Sequence, residues 1–73
     1  MFYNLNSNIR YLRKKAGYTI PRFAEMLDLK KSTIDNIECG KNNTSLEVLD
    51  KIHKLFNVSL DDLVYKDLSK EEI

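Results

Sequence analysis

The sequence predicts an all-α fold, a compact bundle of five short helices. Three observations predict it. Only two Gly and one Pro occur in 73 residues, so loop-forming residues are scarce, while 42% hydrophobic and 32% charged residues are the mixture of a globular chain rather than a disordered one. The apolar residues recur at spacings of three and four, the helical period. Turn and cap residues interrupt that period every ten residues or so, which sets the number of helices.

Leu5, Ile9, Leu12 and Ala16 line one face of helix 1, expected over Leu5 to Ala16, and Gly17 supplies a left-handed stop. Thr19 is the expected N-cap of helix 2, with Pro21 in the first turn, where a missing N–H costs nothing, and Phe23, Ala24 and Leu27 as its apolar face. After Asp28-Leu29 the pattern resumes from Lys30 to Cys39 and stops at Gly40. In this helix 3 only Ile34 and Ile37 are large and apolar, so most of its surface is left for something other than packing. Thr44 with Glu47 forms a capping box for helix 4, whose inward stripe is expected to be Leu46, Leu49, Ile52, Leu55 and Phe56. Asn57 ends it. Ser59 caps helix 5, which carries Leu60, Leu63 and Val64. Residues 1–66 are read as the domain, and 67–73 as a carboxy-terminal tail, the run from Lys66 onward frayed or extended.

So short a chain has one small core and no cleft between lobes, which argues against an enzyme. Asp61-Asp62 and Glu71-Glu72 are paired carboxylates, but neighbours on a helix diverge and a terminal pair has no pocket. One Cys excludes an internal disulfide; one His and one Cys are too few for a dedicated zinc site, so no metal or cofactor is expected. Cys39, beside Glu38, reads as an inert structural thiol, and His53 as a partly buried packing residue. The first residues lack a basic segment and apolar run, and no stretch is long enough to span a membrane, so the expected location is the cytoplasm.

Net charge is only +1, yet it is unevenly spread. Residues 1–44 hold eight Lys and Arg against four Asp and Glu, while residues 45–73 hold four against seven. The amino-terminal part is the half suited to phosphates. Within it, two short helices joined by a three-residue turn run from Thr19 to Cys39, an arrangement in which one helix braces the other for projection into a groove. Lys30, Lys31, Ser32, Thr33 and Asn36 put donors on the polar face of the second, the kind that pair with base edges and phosphates. Alone, Lys30-Lys31 would read as an ordinary solvated pair. The aromatic residues are too scattered for a single-strand stacking platform.

The chain resembles the Cro and CI phage-repressor type of helix-turn-helix domain, also called Xre-type. The resemblance rests on Ile9-Arg10-Tyr11-Leu12-Arg13 before Gly17, Phe23-Ala24 with Leu27, and Ser32-Thr33-Ile34 followed by Ile37-Glu38-Cys39-Gly40-Lys41. It continues through Ser45-Leu46-Glu47-Val48-Leu49, Ile52 and Val58-Ser59-Leu60-Asp61-Asp62-Leu63, in one register from about Asn8 to Val64. It implies a lambda-repressor-like domain whose third helix reads double-stranded DNA, working as a homodimer on an inverted-repeat operator, with repression of transcription as the expected outcome. By position, Lys30, Lys31, Ser32 and Asn36 would face the bases, with Thr33 and the loop Lys41-Asn42-Asn43 nearer the phosphates. Arg13 and Glu38 match a pair bridging helix 1 to the recognition helix, and Val58, Leu60, Asp61 and Val64 match the dimer region.

Three positions depart from the pattern. Ile20 stands where a phosphate-gripping Gln is frequent, Asp28 where the turn usually has Gly, and Lys30 where Ser or Thr usually caps helix 3. The modest charge and the missing Gln keep a second expectation open: the same fold as a protein-interaction module, antitoxin-like or regulator-binding.

Overall fold

Four backbone positions with positive φ decide where the first four helices stop. In the computed structural model, which describes residues 4–41 and 44–70, these are Gly17, Asp28, Gly40 and Asn57, with φ of 81°, 57°, 77° and 56°. No neighbouring atom lies within 4 Å of where a Cβ on Gly17 would sit, so it is the left-handed backbone, not crowding, that suits glycine there. Asp28 takes the same conformation with a side chain, which Asp and Asn tolerate better than most residues.

The helices so bounded are α1 (Leu5–Lys15), α2 (Ile20–Leu27), α3 (Lys31–Cys39) and α4 (Leu46–Phe56); α5 (Leu60–Tyr65) ends instead where Lys66 turns extended, and a single 3-10 turn follows at Leu68–Lys70. No strand occurs among the described residues. Every helix gives the core at least one buried side chain: Leu5 and Ile9, then Phe23, Ala24 and Leu27, then Ile34 and Ile37, then Ile52, and finally Leu63. Phe56 closes over this core with its ring 5.8 Å from Phe23 and 6.4 Å from Tyr18, within the centroid distances at which aromatic rings interact.

Caps follow the local chemistry. The Thr19 hydroxyl accepts from the Arg22 N–H at 3.2 Å, and that of Ser59 from the Asp62 N–H at 3.1 Å. At α4 the structure corrects the sequence reading, because the N-cap is Ser45, whose Oγ accepts from the Val48 N–H at 3.3 Å. The Thr44 hydroxyl is buried with no hydrogen-bond partner among the described residues. Leu46 is therefore the first helical residue and lies about 120° around the helix from the buried Ile52, which leaves it 75% exposed instead of inward. Leu55, on the edge of the stripe, is also exposed, and Val48 fills the inward role together with Leu49, Ile52 and Phe56.

A second correction concerns the carboxy-terminal run. The segment expected to be a frayed or extended tail is tied down as far as Leu68 by Asn8, a polar residue only 1% exposed, while its last part, 71–73, lies outside the described residues. Its Nδ2 donates to the carbonyls of Leu63, at 2.8 Å, and Lys66, while its Oδ1 accepts from the Leu68 N–H at 3.0 Å. One amide on α1 thus fixes both the end of α5 and the chain beyond it.

Candidate nucleic-acid interface

The turn between α2 and α3 is three residues long, which suffices because Asp28 reverses the backbone at once. The N–H of Leu29 returns to the Ala24 carbonyl at 2.8 Å, and Lys30 is extended before α3 begins. No side chain caps α3. Its inner side is defined by Ile34 and Ile37, 0% and 3% exposed.

The far end of α3 is held from α1. Arg13 and Glu38 meet in a two-pronged ion pair, Nε to Oε2 at 2.7 Å and Nη2 to Oε1 at 3.1 Å, and the remaining Nη1 donates to the Tyr18 carbonyl at 2.8 Å. Asn6 donates its Nδ2 to the Ile37 carbonyl. Gly40 then ends the helix and the Lys41 N–H bonds the Asn36 carbonyl at 3.0 Å. Packing on one side and polar pins at one end leave α3 a fixed direction.

Its outward face centres on Ser32 and Cys39 by the helical period, with Lys31 and Asp35 on one side and Asn36 on the other. Lys30, Lys31, Ser32 and Lys41 are exposed, whereas Thr33 and Asn36 are half-buried at the edges. Asn42 and Asn43 lie outside the described residues. Cys39 is exposed, which does not fit its reading as a structural thiol. Asp35 is the residue that sequence reasoning missed: it stands on the same face as Ser32 and is equally exposed, but a search for donors passes over an acid. Its spacing of three residues from Ser32 is the signal that could have found it.

The charged groups of this face are unspent. On α4 the pairs Asp50 with Lys54, at 3.0 Å, and Glu47 with Lys51, at 4.0 Å, close at i,i+4, and Lys54 holds the Asp50 carboxyl below its usual range. Lys31 and Asp35 have the same spacing in the reverse, weaker order and form no ion pair among the described residues. Of the four positions matched to a dimer region, Val58 and Val64 are half-buried and pack on the chain's own core, while Leu60 and Asp61 are exposed. Among the described residues, no group of three acidic, His or Cys side chains is placed to hold a metal, and no helix is long and apolar enough to cross a membrane.

Comparison with known proteins places this geometry among relatives. A family model described as Helix-turn-helix matches residues 9–63. The chain is 34% identical over 64 residues to the HTH-type transcriptional regulator ImmR of Bacillus subtilis, covering 88% of this chain and 50% of ImmR. It is 35% identical over 63 residues to an HTH-type transcriptional regulator of Archaeoglobus fulgidus, covering 86% of this chain and 90% of that protein. It is also 33% identical over 63 residues to the antitoxin PezA of Streptococcus pneumoniae, covering 86% of this chain and 40% of PezA. The chain therefore spans half or less of ImmR and PezA and most of the archaeal protein. Among solved structures, a chain of a SinR protein/SinI protein complex superposes with a TM-score of 0.76 at 28% identity, over 94% of this chain and 66% of that one. A transcriptional regulator from Listeria innocua superposes at 0.80 with 24% identity, over 99% of this chain and 73% of that one, which speaks for the fold alone.

Proposed function

The chain belongs to the Cro/CI-type helix-turn-helix family of transcriptional regulators, and from that premise we propose that it represses transcription by reading the major groove with α3, as a symmetric dimer on an inverted-repeat operator. The observation that carries the reading is the state of α3. Its apolar side is buried by Ile34 and Ile37 and its last turn is pinned by Arg13, while Lys31 and Ser32 stand exposed on the far side with no ion pair or hydrogen bond of their own among the described residues. A rigid helix with free donors is what base reading needs, because a mobile one loses the entropy of ordering on contact. Lys30 and Asn36 complete the base-facing set, and Thr33 and Lys41 at its border suit phosphates, as would Asn42 and Asn43, the other two residues of the Lys41-Asn42-Asn43 loop.

Selection of bound sequences from a random duplex pool tests the reading. Enrichment of a sequence containing two related, inverted halves is the expected result; failure to enrich anything, with no duplex binding even at low salt, rules it out.

A second reading has specific support: one relative is an antitoxin and one structural neighbour was solved as a complex of two proteins. In that case the fold serves a protein partner, and the same low-salt measurement separates the two, since a module of that kind has no reason to hold duplex.

A further inference from the structure

An open groove of about 440 Å³ runs between the start of α2 and the first turns of α3, lined by Ile20, Pro21, Lys31, Ser32 and Asp35. Its α2 wall is apolar. Ile20 is half-buried, its inner part packed on the core, and Pro21 is exposed. Its α3 wall carries a hydroxyl, an ammonium and a carboxylate, all exposed.

Two features of this groove are left over once the fold is held: the outer surface of Ile20, whose inner part packs on the core, and the carboxylate of Asp35. Ile20 offers apolar surface at the edge of a face otherwise made of donors, and such surface is favoured against DNA only where it meets an apolar group. The one apolar group on the major-groove edge of a base pair is the 5-methyl of thymine. Asp35, unpaired among the described residues although Lys31 lies one turn before it, must find a hydrogen-bond donor when water is displaced. Adenine N6 and cytosine N4 are donors on that edge; guanine N7 and O6 are both acceptors and would face the carboxylate unfavourably.

Resting on the DNA-reading function above, we propose that this groove is a base-selecting subsite: Ile20 and Pro21 take the methyl of a thymine, and Asp35 takes the amino group of an adjacent adenine or cytosine and rejects guanine there. A carboxylate beside phosphates weakens binding to every sequence, and only the amino group offsets it. The contribution of Asp35 is therefore discrimination rather than affinity, and it acts by making the wrong base worse.

The test uses the full chain and the duplex it selects. Each thymine is replaced in turn by deoxyuridine, which removes only the methyl, and binding by the parent and by Ile20→Ala is measured. At one position per half-site the parent should bind about fourfold more weakly, the transfer value of one buried methyl group, and Ile20→Ala should show no such difference. In a second arm, Asp35→Asn, at an exposed position, should bind guanine-bearing duplexes at the adjacent position tenfold or more better than the parent does, the scale of a single base contact. The deoxyuridine series on the parent needs no variant to fold. Parent binding within twofold for every deoxyuridine duplex, or an unchanged base preference in Asp35→Asn, overturns the subsite while leaving DNA reading intact. Absence of any selected sequence instead overturns the DNA reading on which it rests.

Discussion

Arg13 Nε lies 2.7 Å from Glu38 Oε2, and the two side chains are only 10% and 6% exposed, so the pair joins α1 to the last turn of α3 almost out of water. Two such charges hold each other through desolvation, and removing one strands the other. Glu38→Ala should therefore cost about 3 to 5 kcal/mol of stability. The double replacement Arg13→Leu with Glu38→Leu should cost less than the single one, because no buried charge remains. Urea denaturation of the three proteins checks this, and a double variant no better than Glu38→Ala would show that packing, not charge, dominates at this junction.

Asn8 gives a second stability test. Its amide satisfies two carbonyls and one N–H of the carboxy-terminal segment, and Asn8→Ala leaves those groups without partners. A loss of about 2 to 4 kcal/mol is expected from several buried hydrogen bonds removed together. Amide exchange should show the first loss of protection at Leu68, while the α2 and α3 amides stay protected until the whole domain opens.

At the start of α4 two adjacent hydroxyls have opposite roles. Ser45→Ala removes the working cap and should destabilise the protein by about 1 kcal/mol. Thr44→Val replaces a buried hydroxyl with no partner among the described residues and should be neutral or stabilising. Thermal melts of both variants suffice, and the reverse ranking would return the cap to Thr44.

These cases show what the sequence made legible. Helix stops at Gly17, Gly40 and Asn57 and caps at Thr19 and Ser59 depend on residues within one turn, so local spacing finds them. Thr44 with Glu47 and Ser45 with Val48 offer the same three-residue spacing, and the acid made the first pair look better although the backbone uses the second. That one-residue shift turned Leu46 outward. Asn8 was invisible for another reason: its partners are Leu63, Lys66 and Leu68, and nothing local announces a contact across the whole chain. The polar face of α3 was legible, but Asp35 on it was not, because its value depends on the groove formed with Ile20.

On DNA, replacements on α3 and beyond it should separate by kind. Lys31→Ala and Asn36→Ala should each weaken the selected operator by about 1 to 3 kcal/mol and relax base preference, with the fold unchanged by circular dichroism. Lys41→Ala should weaken all duplexes alike and lower the salt dependence by about one charge. Equal binding of the operator by both α3 variants and the parent would remove α3 as the reader.

The remaining prediction concerns assembly, and it begins from a limit of size. A helix of nine residues, Lys31–Cys39, meets only a few base pairs, too few to select a site among a genome's competitors. A second copy doubles the recognised length, and symmetry places the two α3 helices about 34 Å apart, so half-site centres should lie about 10 base pairs from each other. Among the four candidate contacts, Val58 and Val64 already serve the chain's own core, which leaves exposed Leu60 and Asp61 as the ones free to meet a partner. So small a surface makes a weak interface, and the protein alone should sediment as a monomer while the operator holds two copies by proximity. Leu60→Arg, at the exposed first position of α5, should keep the fold and the binding to a single half-site but lose the cooperative second step on the full operator. Sedimentation with operator and half-site duplexes reads both stoichiometries. A one-to-one complex on the full operator at saturating protein would eliminate the symmetric dimer, and two copies bound equally well by Leu60→Arg would move the interface away from α5.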